Sequence, residues 1–525
     1  MIIAVAGAGT MGAGIAQLAC ASGATTLLYD AVPGAAERGA ERVMEGLEGA
    51  KLRGKLTAQE VAGAWGRLTA VDALEGLASA DLLIEAAPES LDLKLELFGA
   101  LTHGIVSDAC VLASNTSSIP ITAIAAGVPH PERVIGMHFF NPAPVMKLME
   151  LIAGLQSGEH ALALGRQVGE AMGRRVIDAA DGPGFLVNRC GRPFGLEALR
   201  ALQEQLADVE TIDRIARLGG GFRMGPFELQ DLVGIDTGFA VAQSFAELSF
   251  GEPRWRPSPL SARMVAAGRL GRKTGQGWYR YDGGQIVRDA DPPVPEPGSG
   301  HGRILAISDG PGVIADQLRE LAVQAGWDVR DGGDLAGELP YLVLDCGGGE
   351  GGPLGGGPVA VLCAEGSLAG LDGGGPAAGF HAVPPLAPGG LVELTRSSGT
   401  SDLAAARAAE VFASLGLHTA HVGDAPGLIL GRLIAQLVNE AAFAAGEGVG
   451  TPADIDAGMQ LGLNHPRGPL AWGDLIGLDH VLAILDALHH EFGDPAYRAA
   501  PLLRRLVSEG RLGAPSGGSG FHDSA

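Results

Sequence analysis

Apolar residues in the first third of the chain gather in short, mainly apolar runs, at 2–6, 25–29, 82–86, 111–114 and 134–138. Runs of that length, bounded by glycine, proline or acidic residues, predict strands buried on both faces of a sheet. Between them lie longer stretches with helical spacing, 13–21 and about 33–63 among them. Strand and helix in alternation predict a Rossmann-type doubly wound parallel sheet, an α/β domain whose ligands bind beyond the C-terminal strand ends. From 185 onward the spacing is helical, broken by turns near 219–225, which predicts an all-α domain behind the sheet.

The first run leads straight into Gly7-Ala8-Gly9-Thr10-Met11-Gly12 and then a helix. In that setting the glycines allow a tight turn, close approach of a pyrophosphate and packing of helix on strand. The helix start adds unpaired N–H groups and a favourable dipole. The second run ends on Asp30, an acid placed to bond both ribose hydroxyls and to repel a 2′-phosphate, which favours NAD over NADP. Glu89, the Ser114–Ser118 segment and His138 also fall at strand ends. Lys51, Arg53 and Lys55, in KLRGK, read either as a solvated helix face or as a clamp for a phosphorylated substrate handle.

Residues 133–150, RVIGMHFFNPAPVMKLME, form the stretch around which the rest is organised. A strand ends on His138, the turn Asn141-Pro142-Ala143-Pro144 has two prolines that cannot donate, and an apolar pattern returns toward Glu150. Strand, turn and strand bring an imidazole and a carboxylate together, as a carboxylate-oriented general base requires. A histidine merely hydrogen-bonded at a strand end has the same spacing. Asn188 falls about one turn into the first helix after Asp181-Gly182-Pro183-Gly184, either as a structural bridge or as a donor into the cleft.

The second half repeats the first. His138 and Glu150 recur as His381 and Glu393, both 243 positions on, and the same offset carries Pro183-Gly184, Arg189, Asp213, Asp231 and Asp236 to matching residues. A register held over about a hundred residues is an internal duplication. The expected domains are 1–181 (sheet), 182–282 (helical), a proline-rich linker at 283–302, a reduced second α/β domain at 303–423 and a second helical domain at 424–525. The copy has lost cofactor chemistry: Asp309 stands where a phosphate approaches, Val313 replaces the third glycine, and Gly431 replaces Asn188. Ala364-Glu365-Gly366-Ser367 keeps little of the serine-rich segment, and Ala514-Pro515 stand near the counterpart of Lys273.

Composition narrows the function. With 525 residues, 46% hydrophobic and 18% charged, the chain has material for three or four domains. A net charge of −23 argues against a nucleic-acid or anionic-membrane partner, and no charge-free run spans a bilayer. Five scattered cysteines without CxxC spacing suggest reduced thiols and no metal site, so a cytoplasmic protein is expected. Part of the excess of glycine, 83 residues, sits in flexible-looking runs such as 346–357.

These motifs together resemble the 3-hydroxyacyl-CoA dehydrogenase family. GAGTMG with Asp30, SNTSS at 114–118, GMHFFNPAPVMKLME at 136–150, GPGFLVNR at 182–189 and GRKTGQGWYRY at 271–281 occur in order across residues 1–282. The resemblance implies NAD-dependent oxidation of an L-3-hydroxyacyl-CoA, with His138 as base, Glu150 as its partner, and Ser117 and Asn188 on the substrate. It places cofactor contacts on Gly7, Gly9, Thr10, Met11, Gly12, Asp30, Glu89, Lys94, Asn141 and Lys273, and leaves Lys51, Arg53 and Lys55 as candidates for the CoA phosphates. The two-copy layout is similar to the bacterial 3-hydroxybutyryl- and 3-hydroxyadipyl-CoA enzymes of fatty-acid and phenylacetate catabolism. Single-copy relatives dimerise through their helical domains, so an intramolecular pseudo-dimer is expected, with further homo-oligomerisation open. Two other readings remain: a dehydrogenase of a free hydroxy or sugar acid, and a catalytically silent NAD-binding structural protein. Arg192 and Arg223 are spare basic residues for a dicarboxylic acyl tail, though surface positions are expected for both.

Overall fold

The computed structural model describes residues 1–331, 335, 337–347, 356–514 and 517–522. Most of the glycine-rich run at 346–357, and Pro515, lie outside the described residues. The chain divides into two compact units, residues 1–189 with 448–463 and residues 190–447 with 464–525.

The first unit is built on eight strands: β1 (Ile2–Ala6), β2 (Thr25–Tyr29), β3 (Leu68–Val71), β4 (Leu82–Glu85), β5 (Val111–Ser114), β6 (Val134–Phe139), β7 (Leu148–Ala153) and β8 (Arg175–Ala180). They lie in the order β3-β2-β1-β4-β5-β6-β7-β8. All neighbours are parallel except β6 and β7, which the proline turn folds back antiparallel. The covering helices are α1 (Thr10–Ala21), α2 (Ala35–Leu52), α3 (Ala58–Trp65), α4 (Leu91–Thr102), α5 (Ile121–Ala125) and α6 (Glu159–Ala171), and α7 (Val187–Gln203) begins here. The small residues of α1 bury Gly12, Ala13, Gly14 and Ala16 and so let the helix lie close to the sheet.

The single helical stretch expected over 33–63 is two helices. α2 ends at Leu52, Gly54 adopts a positive φ of 70°, and Thr57 with Glu60 forms a capping box that starts α3. KLRGK therefore straddles a helix end and a turn rather than one helix face. Asn188 sits in the first turn of α7, earlier than its spacing suggested.

The second unit holds the rest of α7, then α8 (Val209–Leu218), α9 (Pro226–Val233), α10 (Ile235–Leu248) and α11 (Pro259–Ala266). The hairpin β9 (Arg280–Asp282) and β10 (Gln285–Val287) follows, so part of the segment expected as linker is strand. A seven-stranded sheet comes next, from β11 (Ile304–Ile307), β12 (Asp328–Asp331), β13 (Leu342–Asp345), β14 (Val359–Leu362), β15 (Ala378–His381), β16 (Leu391–Arg396) and β17 (His418–His421). Its order, β12-β11-β13-β14-β15-β16-β17, repeats that of the first sheet, without a counterpart of β3 among the described residues. α12 (Ile314–Gln324), α13 (Leu368–Asp372) and α14 (Asp402–Ser414) cover it, and α15 (Leu430–Gly446) is buried on every side from Leu430 to Ala444. α16 (Pro452–Leu463) belongs to the first unit, and α17 (Pro469–Ile476), α18 (Leu478–Phe492) and α19 (Pro501–Ser508) to the second. No helix among the described residues is long and apolar enough to cross a membrane.

Each unit contains an element from the other copy. In the first, α16 packs beside β7 and β8, and the Ala180 N–H donates to the Val449 carbonyl at 3.0 Å. A Cβ on Gly462 would fall 3.0 Å from Leu148 and 3.1 Å from Val187. In the second, α8 packs beside β16 and β17, Gly423 N–H donates to Leu206 O at 2.7 Å, and a Cβ on Gly219 would fall 2.8 Å from Leu430. Each of these pairs is the other displaced by 243 positions, the reciprocity that a two-fold interface imposes.

Within the second unit a buried ion network joins α7 to α15. Arg432 donates to Glu197 at 2.8 Å, Glu204 at 2.6 Å and the Tyr497 hydroxyl at 2.7 Å. Burial pushes the Glu197 carboxyl up, but Arg432 and Arg200 outweigh it and hold the group ionised, below the usual range. Removing one member strands a charge out of water. Arg432→Met is therefore expected to cost about 3–5 kcal/mol in urea unfolding, and Arg432→Met with Glu197→Gln distinctly less. A double variant no more stable than the single one would contradict this account.

Candidate active site

The loop after β1 has the geometry of a pyrophosphate cradle. Gly7 has a φ of 107° and its Cβ would lie 2.5 Å from the Ala86 carbonyl oxygen, while one on Gly12 would overlap the Gly7 carbonyl. Gly9 caps α1 without a side-chain hydrogen bond, and nothing lies within 4 Å of where its Cβ would be. Thr10 and Met11 open the helix, whose first N–H groups face outward unspent. Asp30 ends β2, accepting from Ala8 N–H at 2.7 Å and Val32 N–H at 2.9 Å, so it also braces the loop. The residues present fit a dinucleotide.

A second cluster lies at the ends of β4 and β5. Buried Glu85 accepts from Lys94 at 2.7 Å, Ala87 N–H at 2.6 Å and the Ser114 hydroxyl at 2.5 Å. Lys94 also lies 3.5 Å from Glu89. Glu89 gathers the serine-rich segment, accepting from the Thr116 hydroxyl at 2.7 Å, the Ser117 and Ser118 amides at 3.0 and 3.1 Å, and the Ser118 hydroxyl at 2.9 Å. Burial raises its carboxyl, yet Thr116, Lys94 and Ser118 together hold it below the usual range. Asn115 ties the segment to β6 by accepting from Phe139 N–H at 2.8 Å. Glu85 was not anticipated. Its one signal is a carboxylate closing an apolar strand nine residues before a lysine.

The antiparallel pairing of β6 and β7 sets His138 opposite Glu150. The Nδ1 of His138 lies 2.6 Å from Oε2 of Glu150. The other oxygen accepts from Leu186 N–H at 3.1 Å and Val187 N–H at 2.8 Å, at the start of α7, where the helix dipole favours a carboxylate. The rings of Phe140 and Phe185 lie 4.6 and 5.9 Å from the imidazole, and no described residue bonds its Nε2. Asn188 is half-buried and has no hydrogen-bond partner among the described residues. Ser117 is half-buried, its hydroxyl only 3.4 Å from Glu89. α16 backs this arrangement: Gly458 packs on Val187 and Leu186, and Gly462 on Val187 and Phe140.

The remaining expected residues are less concentrated. Asn141 is exposed in the turn after β6, and that turn packs on α1, where a Cβ on Gly14 would meet Pro144 at 3.0 Å. Lys51 pairs with Glu48, and Arg53 and Lys55 are exposed. Lys273 belongs to the second unit, where it pairs with Asp236 at 2.6 Å. Arg223 is exposed, but Arg192 is not the surface residue its type suggested, since its Nε and Nη2 are buried.

These motifs match known proteins. The family model for the 3-hydroxyacyl-CoA dehydrogenase NAD binding domain covers residues 2–182, and that for the C-terminal domain covers 184–281 and again 427–523. The 3-hydroxyadipyl-CoA dehydrogenase of Escherichia coli K12 is 36% identical over 510 residues, 96% of each chain. The chain belongs to the 3-hydroxyacyl-CoA dehydrogenase family. A probable 3-hydroxybutyryl-CoA dehydrogenase of Bacillus subtilis is 42% identical over 53% of this chain and 97% of its own. A crystal structure of 3-hydroxybutyryl-CoA dehydrogenase from Escherichia coli K12 superposes with a TM-score of 0.81 at 35% identity, covering 97% of this chain and 99% of that one. The two separate matches to the C-terminal family domain agree with the duplication.

The second copy keeps the strand pairing of this family site but not its contact. His381 stands opposite Glu393, yet its Nε2 lies 3.3 Å from Nε2 of His480. Both oxygens of Glu393 go to backbone, accepting from Ile429 and Leu430 N–H at 2.8 and 3.0 Å. A Cβ on Gly431, the counterpart of Asn188, would lie 2.4 Å from Cε1 of His381, so the ring fills the space of the missing side chain. Burial pushes Glu393 up to about 8. Burial also holds His480 down at about 4, and burial with the neighbouring His480 keeps His381 well below the ordinary range.

A carboxyl raised on folding contributes stability that is complete below its unfolded value, near 4.5, and fades as pH rises toward about 8. Glu393→Gln cannot ionise. It should flatten the decline in melting temperature of the second half across that window, and an unaltered slope would show that Glu393 is ionised throughout.

Proposed function

We propose that His138 is the base with which this 3-hydroxyacyl-CoA dehydrogenase oxidises the hydroxyl of an L-3-hydroxyacyl-CoA to the 3-oxo thioester. The observation that carries the assignment is the 2.6 Å contact of His138 Nδ1 with Glu150, whose second oxygen is held by two helix-start amides. A carboxylate so fixed accepts a hydrogen bond from Nδ1–H and leaves the lone pair on Nε2, the tautomer a base needs. Gly7 to Gly12 and Asp30 would hold NAD, which would supply the hydride acceptor for C3. The hydroxyl proton passes to Nε2 of His138, and Glu150 stabilises the imidazolium that results. Ser117 and Asn188 bond the C3 oxygen as its charge changes, each contact worth on the order of 10²–10³ in rate by analogy with oxyanion sites. Glu89 sets the Ser117 backbone, and Lys94 pairs with Glu85 at 2.7 Å and lies 3.5 Å from Glu89. Asn141 and Lys273 are assigned to the cofactor, and half-buried Lys51 with exposed Arg53 and Lys55 to the CoA phosphates.

We also infer that the second copy serves as a built-in partner, an intramolecular pseudo-dimer. The reciprocal contacts of α8 and α16 and the Arg432 network support that reading.

His138→Gln should lower kcat by about 10²–10⁴ while NADH still binds, as followed by its fluorescence. Substantial turnover by that variant removes the base from this position. Glu150→Gln should lose rate with an altered pH profile of kcat/KM. A wild-type profile would reduce Glu150 to a brace for α7.

A further inference from the structure

Residues 448–463 of the second copy lie within the first compact unit, and α16 makes up most of them. They are fastened there by Arg175, which donates to Asp454 at 3.0 Å, and by the Ala180 N–H on the Val449 carbonyl. Farther along, the helix carries Gly458 and Gly462, four apart and so on one face. Glycine weakens a helix interior relative to alanine, so two on one face mark a close approach. A Cβ on Gly458 would fall 2.9 Å from Val187 and 3.1 Å from both Leu186 and Ile177. One on Gly462 would fall 3.1 Å from Val187 and 3.4 Å from Phe140.

What the helix touches is the support of the candidate base. The N–H groups of Leu186 and Val187 hold one oxygen of Glu150, whose other oxygen meets His138 at 2.6 Å. The Phe140 ring lies 4.6 Å from the imidazole. Leu186, Val187 and Glu150 are fully buried, so a shift of α16 has no open space to absorb it and passes to the peptide that holds the acid. The helix behind the degenerate site differs here. Gly219, at the end of α8, stands 243 positions before Gly462, but Ile215 stands where α16 has Gly458. We propose that α16 of the second copy is a positioning element of the first copy's site: Gly458 and Gly462 seat the Leu186–Val187 peptide so that its amides hold Glu150 against His138. This rests on the reading of His138 as base with Glu150 as its partner. It makes the second copy a part of the catalyst as well as its structural partner.

The test is a cycle of Gly458→Ala, Val187→Ala and the two together in the full-length protein. The first adds a methyl against Val187, the second removes the methyls that face the glycines, and the pair moves bulk from one side of the contact to the other. Each single variant should lower kcat about 10-fold, bind NADH as the wild type does, and shift the pH profile in the direction that Glu150→Gln shifts it. The double variant should recover much of the loss, the non-additivity of side chains in contact. Thermal unfolding measured alongside separates a purely structural role: single variants that melt lower but keep the wild-type kcat and pH profile overturn the proposal. Single losses that merely multiply in the double variant also overturn it. Should Gly458→Ala fail to fold, Val187→Ala, which only removes atoms, decides by the same two readouts. The reading of the base fails separately, through turnover by His138→Gln, whatever the α16 variants do.

Discussion

Glu150 is the carboxylate on which the site depends. One oxygen holds the imidazole of His138 across an antiparallel strand pair, and the other takes the two amides that open α7. A single side chain thus ties the last strands of the sheet to the helix that carries Asn188. It is fully buried, so its charge is supported by hydrogen bonds rather than by water. One group thus fixes both the imidazole proposed as base and the start of the helix beside it.

The duplicate shows what happens when that arrangement is relaxed. β15 and β16 keep the register that set His138 against Glu150, and two helix-start amides still bind the acid. Exchanging an asparagine for Gly431 opened a space that the His381 ring occupies, and the imidazole turned to His480. Burial makes the acid harder to ionise and the histidines harder to charge. Strand pairing is a property of the backbone and outlives a change of the side chains around it. The hydrogen bond between the side chains does not.

Much of this was legible in the sequence, and what was not has identifiable causes. The interior strands appeared as mainly apolar runs because both their faces are covered, and β1, β2 and β5 match their predicted bounds. β3 escaped notice because its residues are mostly half-exposed, and β8 because a sheet-edge position gives it polar residues at Arg175 and Asp178. The break between α2 and α3 was signalled by Thr57 and Glu60, which the helical spacing on either side obscured. His138 and Glu150 were legible because a turn of fixed length sets their spacing. The amides of Leu186 and Val187 were not, since a backbone donor has no letter of its own. Arg192 is half-buried rather than at the surface, because residue type predicts exposure for arginine and only packing reveals that two of its nitrogens are covered.

The exchange of α8 and α16 has a consequence for how the protein withstands aggregation. β8 and β17 are the last strands of their sheets, and an open sheet edge recruits further chains. Next to each, a segment from the opposite copy supplies a backbone carbonyl, Val449 for Ala180 and Leu206 for Gly423. Each half thus covers the end of the other's outermost strand with its own backbone, so neither sheet leaves that end open to a further strand.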